Sequence, residues 1–196
     1  MMAKSHIAVG MAAAITVTMP HDASGALPVI AGAAAGCLIC DIDCDIAEEK
    51  RDSSKWRIAM AVLVLAVLIE DHMIGGGMWD SLQENIWFIG LAGFALTCTF
   101  AGISSHRGFS HSLLACALET FWLRLIFPAM AMPFATAFLS HIILDLMNKK
   151  PVRVLYPLKK GWCLGWFYAN RLANRVFEVI GAVWLVIIAA VCIRGK

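Results

Sequence analysis

Three short stretches of the chain carry side chains suited to binding metal ions: Asp41-Ile42-Asp43-Cys44-Asp45, His106-Arg107-Gly108-Phe109-Ser110-His111 and His141-Ile142-Ile143-Leu144-Asp145. Imidazole with carboxylate suits zinc, manganese or iron. His141 and Asp145 are four residues apart, so on a helix both sit on one face and can reach one ion. His106 and His111 flank an Arg-Gly turn that lets two rings bend toward a common centre. Asp41 and Asp43 face the same way if their segment is extended. Adding His6, the candidate ligands are His6, Asp41, Asp43, His106, His111, His141 and Asp145. That is more than one tetrahedral ion takes, so one or two divalent ions are expected, with zinc ahead of manganese and iron.

An ion in such a site activates water at neutral pH and polarises the bond to be cleaved. Asp43 or Asp145, left free of the ion, would serve as base. Arg107 is the candidate for gripping an anionic oxygen, because its planar fork matches phosphate. Ser110 has no activating partner in the sequence and is not expected to be a nucleophile. Basic residues surround the site and no HExxH helix is present, which favours a phosphoester over a peptide or acyl bond.

These residues must be positioned by membrane helices. The chain has 196 residues, of which 60% are hydrophobic and 15% charged, and its mean hydropathy is +0.75. A soluble domain averages roughly 45–50% apolar residues. The formal net charge of +2 is too small and too dispersed for a nucleic-acid face. One all-α, membrane-embedded domain over residues 1–196 is expected: a polytopic bundle of about six to seven helices, some short or re-entrant.

Apolar runs at 7–19, 26–40, 58–73 and 86–103 read as the first four segments. The first, behind Lys4, resembles the charged and apolar regions of a secretory signal, although cleavage is not expected. The second is rich in small residues, Gly32 to Gly36, as suits close backbone packing in lipid. Residues 111–127 and 133–147 read as a hairpin of two short arms turning at 128–133. Segment 148–175 is basic and aromatic and fits the headgroup level, where Trp162, Trp166 and Tyr168 serve as anchors. Residues 176–193 read as the last span.

If the segments alternate, one side collects Lys4, Lys50, Arg51, Lys55, Arg57, Arg107, Lys149, Lys150, Arg153, Lys159, Lys160, Arg171 and Arg175, 13 of the 16 Lys and Arg. The positive-inside rule makes that side cytoplasmic, with the carboxyl tail (Arg194, Lys196) dissenting. The three ligand stretches and His6 fall on it, while His21 and His72 fall on the other. The topology was reached without the ligands, so the agreement carries weight.

Blander readings stand beside each element. The aspartates with Glu48, Glu49 and Asp52 could form a solvated loop, the histidines could cap helices, and His141–Asp145 could be a hydrogen-bonded pair. Convergence on one face favours the metal site, because ionisable groups near hydrocarbon are costly. Glu119, deep in an apolar helix, is expected to be paired or protonated, with Arg124 a poorly spaced partner. Cys37, Cys40 and Cys44 make an incomplete metal set, the other cysteines are scattered, and no disulfide framework is implied.

The elements Gly36-x-Leu38-x-x-Asp41-x-Asp43, His106-Arg107-Gly108-x-Ser110-His111-Ser112 and Ser140-His141-x-x-Leu144-Asp145-x-x-Asn148 resemble the signatures of the YdjM-like family, described as LexA-binding, inner-membrane-associated, metal-dependent hydrolases. Cys40 stands where that family usually has proline. The resemblance implies a multi-pass protein of the bacterial inner membrane. The reading that follows is a hydrolase acting on a phosphoester of a lipid or lipid-linked substrate, with the metal site facing the cytoplasm. The alternative is a non-enzymatic regulator that binds a cytoplasmic partner, LexA-like, around a structural metal. A metal transporter ranks last, since only Glu119 is ionisable in mid-span.

Overall fold

The computed structural model describes residues 3–43, 86–105, 107–168 and 170–194, together with Ile58, Val62, Leu65, Ala66, Ile69, Glu70, His72 and Met73. Among them are six helices and no strand: α1 Ala3–Thr18, α2 Ala23–Ile39, α3 Ile86–Ile103, α4 Leu113–Ile126, α5 Pro128–Met147 and α6 Arg171–Arg194. The described positions between 58 and 73 are helical as well. Ile58, Val62, Leu65, Ile69 and Met73 recur at helical spacing and all are exposed, the pattern of an apolar face awaiting a non-aqueous neighbour. Among the described residues, four spans are long and apolar enough to cross a membrane: Ala23–Ile42, Ile86–Ile103, Pro128–Met147 and Leu172–Arg194. At 14 residues, α4 reaches only about 21 Å at 1.5 Å per residue and falls short of a bilayer core.

Local chemistry sets the helix starts. Asp22 accepts from the Gly25 N–H at 2.6 Å, Ser112 from Ala115 at 3.1 Å, and Asn170 from Ala173 at 2.8 Å. Each satisfies a donor that the first helical turn leaves orphaned. The hairpin differs from the expected one. Its turn is Phe127 alone, and residues 128–133 begin α5. Pro128 takes the first helical position, where a missing N–H costs nothing, and Pro133 follows closely enough to forfeit one early bond. The arm expected at 133–147 is thus a 20-residue helix. The last helix also begins earlier than expected, at Arg171, so Arg171 and Arg175 leave the basic strip and join it.

The core lies between α2, α3, α4 and α5, where Ala31, Cys40, Ala101, Cys116, Leu123, Phe134, Phe138 and Ile142 are buried together. Helices α2 and α5 approach closely and run parallel. A Cβ on Gly32 or Gly36 would collide with the backbone carbonyl of Met130 or Phe134 respectively, so only glycine permits the contact. Helix α1 packs on α2, α5 and α6, and its Ser5 hydroxyl donates to the Asn174 carbonyl. The outcome is that the start of α1, the end of α2 and the end of α5 meet at one end of the bundle.

Candidate metal centre

Four elements deliver the ligands. His6 comes from the first turns of α1. Asp41 sits in a 3₁₀ turn, Cys40–Asp43, that continues α2. His111 ends a second 3₁₀ turn, Phe109–His111, just before α4. His141 and Asp145 lie one turn apart near the end of α5. His6, His111 and His141 are essentially inaccessible and Asp145 nearly so, whereas Asp41 keeps 17% of its side chain exposed.

Two overlapping groups have ligand atoms all within 4.8 Å of one another: His6, His141 and Asp145, and Asp41, His111 and His141. The contacts between them are 3.6 Å from His6 Nε2 to Asp145 Oδ1, 3.6 Å from His141 Nε2 to Asp41 Oδ1, and 3.4 Å and 3.8 Å from His111 Nε2 to Asp145 Oδ2 and Asp41 Oδ1. A direct charge-assisted hydrogen bond would be about 2.7–2.9 Å. Two donors about 2.05 Å from one tetrahedral ion stand about 3.3 Å apart, close to the shorter of these separations. Both ring nitrogens of His6 and Nε2 of His141 are buried with no hydrogen-bond partner among the described residues, which costs free energy unless something else engages them. The donor set, the spacing and these orphaned nitrogens all fit a divalent cation.

The surroundings fix the rings. His141 Nδ1 lies 2.9 Å from the Cys37 carbonyl. A carbonyl only accepts, so Nδ1 carries the proton and the Nε2 lone pair is left for the centre. His141 belongs to both ligand groups yet has that single lone pair to offer. Ser110 Oγ is 2.9 Å from His111 Nδ1, the matching arrangement when Nε2 faces the carboxylates. His6 stacks on His141 with ring centroids 3.7 Å apart, and the Cys37 thiol donates to the His6 carbonyl at 3.4 Å.

Arg107 approaches the same carboxylate as His6. Its Nη2 is 3.4 Å from Asp145 Oδ1, its Nη1 donates to the Lys150 carbonyl at 2.7 Å, and its own carbonyl accepts from the Arg153 N–H. It does so from a left-handed backbone, φ 63°.

Of the expected ligands, the structure brings together His6, Asp41, His111, His141 and Asp145. His106 and the side chain of Asp43 lie outside the described residues. The extended segment that would have aligned Asp41 with Asp43 is instead a 3₁₀ turn, whose period of three removes that ground for pairing them. Cys40, at φ −56°, has a value that a proline ring also allows, and unlike proline it donates its N–H, to the Leu38 carbonyl. The Cys37 and Cys40 thiols bond to the carbonyls of His6 and Gly36; Cys44 lies outside the described residues. Glu119 is fully buried with neither oxygen hydrogen-bonded among the described residues, and no ion pair joins it to Arg124 among them. Sequence reasoning missed the Cys37 and Lys150 carbonyls, since a backbone acceptor has no residue signature.

A family model matches residues 1–196, the whole chain. The chain belongs to the YdjM inner membrane protein family. That description accords with the four spans long and apolar enough to cross a membrane. Neither the curated proteins nor the solved structures compared with this YdjM-family chain gave a match.

Proposed function

We propose that the protein is a multi-pass inner-membrane hydrolase that uses a divalent metal at the cytoplasmic face to cleave a phosphoester of a lipid or lipid-linked substrate. The reading rests on the buried convergence of His6, Asp41, His111, His141 and Asp145, with ligand atoms at ion-sharing distance. The cytoplasmic orientation is supported by the Lys and Arg bias toward the same end.

A bound zinc or similar ion supplies Lewis acidity and activation of water. The chain's own residues do the rest. Cys37 and Ser110 hold the rings of His141 and His111 in register. The base is the aspartate that the ion leaves free, and of the two aspartates in the cluster Asp41 is the more accessible to incoming water. Arg107 orients Asp145 and presents its remaining guanidinium edge toward an anionic oxygen. Asp43 and His106, whose side chains lie outside the described residues, stay in the proposed set on their place in the sequence alone.

The test is to purify the protein in detergent, measure its metals by mass spectrometry, and assay phosphomonoesters, phosphodiesters and phospholipids. The wild type is expected to hold metal stoichiometrically and to turn over one of these classes, and His141→Ala to lose both. An active, metal-free His141→Ala protein ends the proposal.

The near-complete enclosure of the three histidines favours a second reading, a regulator that binds a cytoplasmic protein partner such as a LexA-like repressor around a structural ion. Catalytic sites keep an open coordination position and structural ones do not. Metal that exchanges with a chelator within minutes while the fold persists supports the enzyme. Metal released only on unfolding supports the regulator.

A further inference from the structure

Between α5 and α6 the chain forms a flap whose composition matches neither the core nor a solvated loop. No Asp or Glu lies between Asp145 and Glu178, while Lys149, Lys150, Arg153, Lys159 and Lys160 all fall in that interval. The four lysines are exposed. In the same segment Leu158 is 59% exposed and Trp166 69%, with Leu155, Trp162 and Leu164 also open. Lys149 Nζ stands 4.2 Å over the Tyr168 ring, and Lys160 Nζ 4.4 Å over the Trp162 ring. Cation and ring are thus paired, which raises each ammonium above an apolar surface.

The flap is held in place. Val152 and Trp162 exchange two backbone bonds of 2.8 Å, Leu164 N–H donates to Leu146, Trp166 N–H to Met147, and Lys149 N–H to Phe167. These bonds tie it to the end of α5, one of the spans able to cross a membrane. The flap therefore lies at that span's mouth, with large apolar side chains that stand exposed among the described residues. A water-facing loop would lose free energy by exposing them, whereas a bilayer interface takes rings and cations together.

We propose that residues 149–168 are a docking surface for anionic phospholipid headgroups, with Lys149, Lys150, Lys159 and Lys160 taking phosphates and Trp162 and Trp166 seated among the glycerol backbones. The occupant is the surrounding leaflet and not the substrate, so the proposal stands apart from any reaction at the metal centre. Charge selects it: the surface is uniformly positive and attracts anionic over zwitterionic lipid by about fivefold per lysine.

Cys163, a free and exposed cysteine in the flap, provides the reporter. The full chain is labelled there with a polarity-sensitive fluorophore, with Cys163→Ser as the background control, and reconstituted in phosphatidylcholine vesicles with or without phosphatidylglycerol. Phosphatidylglycerol is expected to shift the emission to the blue. The quadruple substitution Lys149→Glu, Lys150→Glu, Lys159→Glu, Lys160→Glu should raise the amount required at least tenfold. Since that variant can fail to insert, salt is also titrated on the labelled wild type and should reverse the shift through screening. A probe indifferent to phosphatidylglycerol, or a shift that salt leaves unchanged, overturns the proposal. A probe that moves only when soluble polyglutamate is added overturns it too, in favour of an acidic protein.

Discussion

Helices α5 and α6 are each long and apolar enough to cross a bilayer, yet 61% of the α5 span is buried inside the protein against 6% of the α6 span. The apolar stretch of the buried span has the lower mean hydropathy, 1.5 against 2.7. It carries Ser140, His141 and Asp145, and every one of them faces protein. The open helix, by contrast, packs one face on α1 and shows valine and isoleucine over the rest. In water the buried face is the apolar one. In a membrane, apolarity marks contact with lipid, and burial is where polar groups are sheltered. For a protein of this family, the helix with the weaker hydropathy signal is therefore the one to search for chemistry.

Substitutions can break that contrast. The largest effect is expected from His141→Ala in α5, which removes the one nitrogen shared by both ligand groups. Bound metal should disappear by mass spectrometry, along with the stabilisation of about 2.7 kcal/mol that a ligand at a hundred times its Kd confers. A thermal shift on adding zinc that survives this change would contradict the role given to His141. Next, Val183→Lys at the middle of α6, where Val183 is open, should cost about 2.5–3.5 kcal/mol of insertion and lower the amount of protein in the membrane, while leaving the metal content of the inserted fraction intact. Gly36→Val should cost about 1–3 kcal/mol by overpacking, read by unfolding in detergent, and should weaken metal retention as well. Smallest of all, Val186→Ala on the open side of α6 should shift stability by less than about 0.5 kcal/mol. A larger loss there would mean that another surface covers the helix.

Much of this was legible in the residues. The run 86–103 reappears as α3 within its expected bounds, because an uninterrupted apolar stretch has only helix available to it in lipid. His141 and Asp145 share a helix face as their spacing required. The misreadings arose where backbone geometry outweighed residue type. Pro128 and Pro133 suggested a turn, but proline near a helix start is tolerated and α5 absorbs both. Asp41-Ile42-Asp43 suggested an extended alternation, but α2 tightens into a 3₁₀ turn there. Nothing in residue identity marks the Cys37 carbonyl as the group that orients His141, nor the Lys150 carbonyl as a partner of Arg107. Cys37, part of a cysteine trio too small to make a metal set by itself, braces α1, α2 and α5 through its thiol and its carbonyl.

The two glycine contacts between α2 and α5 have a consequence for the spacing of the candidate ligands. Gly32 meets Met130 and Gly36 meets Phe134 one helical turn apart, so the pair works like two teeth of a rack that allow the helices a single axial setting. A slip by one residue would slide Asp41 past His141 by about 1.5 Å, against a tolerance of about 0.2 Å for a coordinated ion. The spacing of the ligands is thus gauged about one to three turns away, by two residues that have no side chain at all.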